Sequence, residues 1–238
     1  MNENPYALLR KIDWTQEEED SDPYQGAIVA FDPHASEELR SLLLDGDPII
    51  RRRGLFVFGS IGRKAYVVLD AALESVAAPD VNARSNLMDG VLCFSKLTPS
   101  QARIILTLAD DPDDLVREKV VAFLGAEAPE TIESAIELYD EPLRSEYKRA
   151  FGKFSADPSS AQLLLEEGLA NTSVSATFAL ASIQRMARDG RLSAAPEYHG
   201  DSYLGQGVVA NTARLIRNAA RMSRSGVEGN EIEDPRLK

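Results

Sequence analysis

Residues 41–62 read SLLLDGDPIIRRRGLFVFGSIG: the end of one helix, a tight turn, and a second helix running back beside the first. Asp47 is placed to cap that second helix, and Pro48 takes its first position, where a missing N–H costs nothing. Ile50, Gly54, Val57 and Ile61 then follow at helical spacing and define a face that must be buried. One hairpin cannot bury both of its faces alone, so the pattern predicts that the chain repeats it.

Four copies share the layout of an aspartate, an apolar or small position, and an arginine one helical turn on. The pairs are Asp47 with Arg51, Asp80 with Arg84, Asp113 with Arg117, and Asp140 with Arg144. A weaker fifth copy runs over 171–178, with Ser175 in the arginine slot. The steps between these slots are 33, 33, 27 and 31 residues, a period that predicts stacked helical hairpins. Five pairs of helices are expected, at 34–45 with 48–61, 64–76 with 80–95, 99–109 with 114–125, 129–139 with 143–154, and 159–169 with 173–188. Thr98, Pro99 and Gln101 form an expected capping box for the fifth of these helices, and Asp32-Pro33 an expected cap for the first.

The Asp-x-x-Val-Arg-x-x-Ala layout resembles the HEAT and HEAT-like repeat family of the PBS-lyase type, over roughly 34–188. The step is shorter than the ~40–47 residues of ordinary HEAT units, which points to the compact variety. The alanine slot holds Gly54, Leu87, Val120, Tyr147 and Phe178, so packing between units should be irregular. Ankyrin and tetratricopeptide signatures are absent. The resemblance implies an all-α superhelical solenoid of about five hairpins. It also implies that the eight Asp and Arg residues form a structural ladder between successive units, holding the fold and not a ligand.

The rest of the chain divides accordingly. Residues 1–33 are expected to hold a short capping helix, with Tyr6, Leu8, Leu9 and Ile12 as its apolar set, and an acidic linker at 17–22. His34 should be a surface residue. Residues 189–225 read as a long loop to about 209 and then a helix, and 226–238 as a disordered tail. The single cysteine, Cys93, permits no intramolecular disulfide, which with the polar N-terminus predicts a cytoplasmic protein. Asp70 and Arg103 interrupt the longest apolar runs, so no membrane span is expected.

The formal net charge of −12 disfavours nucleic acid as a partner unless a local basic groove overrides it. The charge is uneven: residues 107–141 hold eleven acids against two bases, whereas 182–225 hold seven arginines against three acids. No catalytic constellation emerges. The acids at 110–114 lack the glycine and the twelfth-position glutamate of a calcium loop, and no Cys/His cluster can hold zinc. Gly200-Asp201-Ser202 has neither a preceding strand nor a convincing histidine, since His199 is adjacent. No cofactor is expected.

What remains is surface. In stacked hairpins the second helices line the concave face, where partners dock. The residues expected to point there are Arg52, Arg53 and Phe56, then Asn86 and Asp89, then Glu118, Lys119 and Ala122, then Glu146, Lys148 and Arg149. Phe56 is the best anchor candidate if exposed, the alternative being that it packs between neighbouring repeats. The expectation is a non-enzymatic protein-binding module with an acidic concave surface for a basic partner, in its sharpest form an immunity protein that neutralises a toxin domain. The competing classes are a HEAT-like DNA glycosylase or other nucleic-acid enzyme, and an assembly scaffold.

Overall fold

The computed structural model describes residues 4–11, 22–33 and 36–225. Ile12, His34, the acidic run at 17–21 and the tail at 226–238 lie outside the described residues. Every regular element described is helical: α1 (Pro5–Leu9), α2 (Asp22–Val29), α3 (Glu37–Leu43), α4 (Pro48–Ile61), α5 (Leu69–Leu73), α6 (Val81–Val91), α7 (Pro99–Leu106), α8 (Asp114–Ala126), α9 (Pro129–Ile136), α10 (Leu143–Phe151), α11 (Ala161–Ala170), α12 (Val174–Arg188) and α13 (Tyr203–Ser225).

Local chemistry sets most of the helix starts. The side chains of Asp47, Asp80 and Asp113 accept from the backbone N–H two residues on, at 2.8, 2.9 and 2.9 Å, and so cap α4, α6 and α8. Thr98 and Gln101 exchange reciprocal bonds of 3.3 and 3.0 Å at the start of α7. Several starts differ from the sequence expectation. The expected start at 34 moves on, because α3 begins at Glu37 after Ser36. An extra helix, α2, stands where only linker was expected. The first helix of the second pair is broken into a 3-10 turn, Gly62–Val68, and the short α5, in keeping with the weak helix preference of Tyr66, Val67 and Val68.

The first three pairs stack in order, α4 against α6 and α6 against α8. The α4–α6 approach is close because Gly90 has no side chain: a Cβ there would run into the Phe58 ring. Beyond α8 the order changes. The helix packed along α8 is α12, and α10 lies on another side of α12. Thus α12 is surrounded by α8, α10, α11 and α13, and all of its residues except Ser175 and Arg188 are buried. Its small residues, Ala176, Ala179, Ala181, Ser182 and Ala187, let four neighbours approach it. The molecule is a short stack of hairpins continued by a bundle around one central helix.

Polar contacts fasten this bundle. Arg185 of α12 donates to the carbonyls of Leu124 and Glu127, and Arg188 to that of Ala126, satisfying the orphan acceptors at the α8 C-terminus. The Arg185 guanidinium also lies over the Phe154 ring at 4.6 Å, and burial draws it below its ordinary pKa. Tyr139 and Tyr147 stack with centroids 4.7 Å apart and donate to the carbonyls of Arg103 and Leu106, at 2.7 and 2.8 Å. Tyrosine in the alanine slot of the fourth copy therefore closes the end of α7.

Candidate interaction surface

The turns between paired helices share one construction. Arg51, Arg84, Arg117 and Arg144 each donate to a backbone carbonyl five or six residues upstream: Asp45 at 3.2 Å, Ala78 at 2.7 Å, Asp111 at 3.2 Å and Tyr139 at 2.7 Å. The repeated arginines therefore face inward onto their own turns. The fourth aspartate departs from the layout. Pro142 stands at the N-cap of α10 and makes no side-chain bond, so Asp140 caps nothing there. Glu141 instead accepts from the Ser145 hydroxyl at 2.7 Å and its N–H at 3.3 Å, which holds the Glu141 carboxyl below its ordinary value.

Ion pairs then join one turn to the next. Arg10 pairs with Asp45, Arg52 with Asp80 at 3.5 Å, and Arg84 with both oxygens of Asp111 at 2.6 and 3.0 Å. The rung to Asp80 thus comes from Arg52, not from the ladder residue Arg51. Asp45 and Asp111 each also accept the N–H of the capping aspartate two residues on, at 2.9 Å in both cases. That backbone bond, and then Arg10, hold the Asp45 carboxyl below its usual range. Asp111 is the residue that sequence reasoning missed. Two residues before each cap is a position that the repeat alignment left out, and an acid recurs there at Asp45 and Asp111.

The expected concave surface is largely occupied by the chain itself. Arg53 does not face outward: it is 2 % exposed and donates to the Leu9 carbonyl of α1, which packs over this end of the stack. Phe56 is half-buried edge-on against Tyr24 of α2, with centroids 5.1 Å apart. Lys119 reaches across to α6, donating to Ser85 Oγ at 2.6 Å and pairing with Asp89 at 2.7 Å. Asn86 and Ala122 are half-buried. Glu146, Lys148 and Arg149 are exposed, and Lys148 pairs with Glu137 at 2.7 Å.

Glu118 meets the C-terminal helix. The expected loop ends early, at 202, and α13 lies across α8 and α12. Tyr203 hydrogen-bonds the Glu118 carboxyl; burial raises the Glu118 pKa, and Tyr203 and Lys119 oppose that rise. A Cβ at Gly207 would come within 2.5 Å of Glu118 Oε1, so glycine is what permits this approach. Ser202 donates to Asp114 at 3.3 Å and accepts from the Gly205 N–H at 3.3 Å, which makes it a turn residue at the start of α13. His199 is exposed beside Glu197, 3.8 Å away.

Of the five cations that a basic groove would use (Arg52, Arg53, Lys119, Lys148 and Arg149), only Arg149 is both exposed and free of a polar partner among the described residues. The exposed charge that remains on the turns is acidic: Asp47, Asp110, Asp140 and Glu141 are exposed, and Asp80 and Asp113 half-exposed. Burial above all raises the pKa of Tyr139 and Tyr147, and the Asp110 charge adds a smaller push in the same direction. Among the described residues, no group of three His, Cys, Asp or Glu side chains is placed to hold a metal, and no helix is long and apolar enough to cross a membrane. Comparison with protein-family models, curated proteins and solved structures finds no match to the chain.

Proposed function

We propose that this chain is a HEAT-like helical-repeat module that binds a basic partner protein through the acidic edge formed by its inter-helix turns. The carrying observation is the division of charge at those turns. Each repeated arginine is turned inward onto a carbonyl, and carboxylates are left facing solvent. A surface with one sign of charge attracts the opposite sign and speeds its docking. The edge replaces the concave face as the docking surface, because α2 and α13 already cover much of that face. The sharper form of the proposal is an immunity protein that occludes a basic toxin domain, with no chemistry of its own.

The test is a pull-down of the tagged full chain from lysate of the cells that express it, with and without nuclease treatment, and with the Asp110→Lys/Glu141→Lys variant in parallel. A stoichiometric basic protein recovered by the wild type, and lost with the variant, is the expected result. Nucleic acid in place of protein, or recovery that the variant leaves unchanged, would overturn the proposal.

A further inference from the structure

Two exposed helical faces carry opposite charges in the same step. On α13, Arg214, Arg217 and Arg221 follow one another by three and then four residues, and all three are exposed. On α9 and its C-terminal turn, Glu130, Glu133 and Glu137 follow by the same three and four, and are exposed as well. Residues three and seven apart share one face of a helix, and each stripe spans about 10 Å.

Within one copy the stripes do not satisfy each other. Arg214 bonds only Asn211, at 2.7 and 3.2 Å, and Arg217 and Arg221 have no ion-pair partner among the described residues. On the acidic side Glu137 alone is engaged, by the exposed Lys148 at 2.7 Å. The stripes also sit on different neighbours: α9 packs on α7 and α10, and α13 on α8, α11 and α12. A run of arginines on the surface of a chain with net charge −12 runs against its overall field. The acidic stripe of matching step is the counterpart that this sequence itself supplies.

We infer that α13 of one copy docks on α9 of a second copy of this chain, with the arginine stripe set against the glutamate stripe. Nothing in this contact depends on the basic partner proposed above, and it uses helix faces distinct from Asp110 and Glu141. Exposed ion pairs are individually weak and strongly screened, so the association is of low affinity and sensitive to salt.

The test is sedimentation velocity of the full chain over a range of concentrations, at about 50 mM and about 500 mM salt. The expected result is concentration-dependent association at low salt, with a dissociation constant ~10-fold or more higher at high salt. Arg217→Glu/Arg221→Glu and Glu130→Arg/Glu133→Arg should each run as monomers, and their equimolar mixture should associate again. The milder Arg217→Gln/Arg221→Gln should weaken association, with an unchanged thermal melt showing that the fold is intact. A wild type that is monomeric at both salts, association indifferent to these variants, or a mixture that stays monomeric would each overturn the inference. So would duplex DNA binding through Arg217 and Arg221 without self-association.

Discussion

Replacing Asp111 by alanine should be the most damaging single change at any inter-helix turn. Its side chain is 4 % exposed and receives three hydrogen bonds: two from Arg84, at 2.6 and 3.0 Å, and one from the Asp113 N–H at 2.9 Å. Removing it leaves a guanidinium only 12 % exposed without its counter-ion and takes away the acceptor of the Asp113 N–H. Breaking one partner of a buried pair costs about 3–5 kcal/mol. Arg84 keeps the carbonyls of Ala78 and Pro79, at 2.7 and 3.2 Å, which places the expected loss near the lower end, about 3 kcal/mol. For a chain of this size that is a fall in Tm of about 6–12 °C. Urea titration should show the midpoint falling with an unchanged slope. A double-mutant cycle with Arg84→Ala should return a coupling of at least ~1.5 kcal/mol. Asp111→Asn, which can still accept from Asp113, separates the turn bond from the charge. A loss under ~1 kcal/mol for Asp111→Ala, the range of an exposed pair, would refute the role of Asp111 as the clamp between the second and third hairpins.

Asp45 has a depressed folded pKa, so its contribution to stability is present above the unfolded value near ~3.9 and is lost as the pH falls through the folded value. Asp45→Asn should therefore flatten the acid limb of the stability curve, read as urea midpoints from about pH 5 downward. Gly90→Ala drives a methyl into the Phe58 ring and should cost about 1–3 kcal/mol in thermal melts, with partial rescue by Phe58→Leu. Gly207→Ala meets only the flexible end of Glu118, so it should speed hydrogen exchange around 203–208 with little change in global stability.

The helix starts were legible because capping is local. Asp47, Asp80, Asp113 and Thr98 each need only the next few backbone N–H groups, and those follow directly in the chain. The repeated layout was less exact elsewhere: Pro142, not Asp140, stands at the N-cap of α10, and α3 begins at Glu37 and not at the expected 34. The candidate surface was harder to read. Glu118, Lys119 and Phe56 do lie on the second helices, as their spacing requires, but spacing within a helix says nothing about which distant segment covers it. Arg53 is the clearest case: its polar side chain reads as surface, and in the packed molecule it is buried and donates to the Leu9 carbonyl, 44 residues away.

An all-α chain and most of the helix starts could be read from local pattern, because they depend on contacts within about six residues. Tertiary structure decided that α12 and not α10 packs along α8, and that α13 closes over Glu118. Those choices depend on how small residues on α12 and the bare backbone of Gly207 fit surfaces built from distant parts of the chain. Such a fit belongs to the packed molecule, since close-packed interiors select partners by shape and no local pattern encodes it.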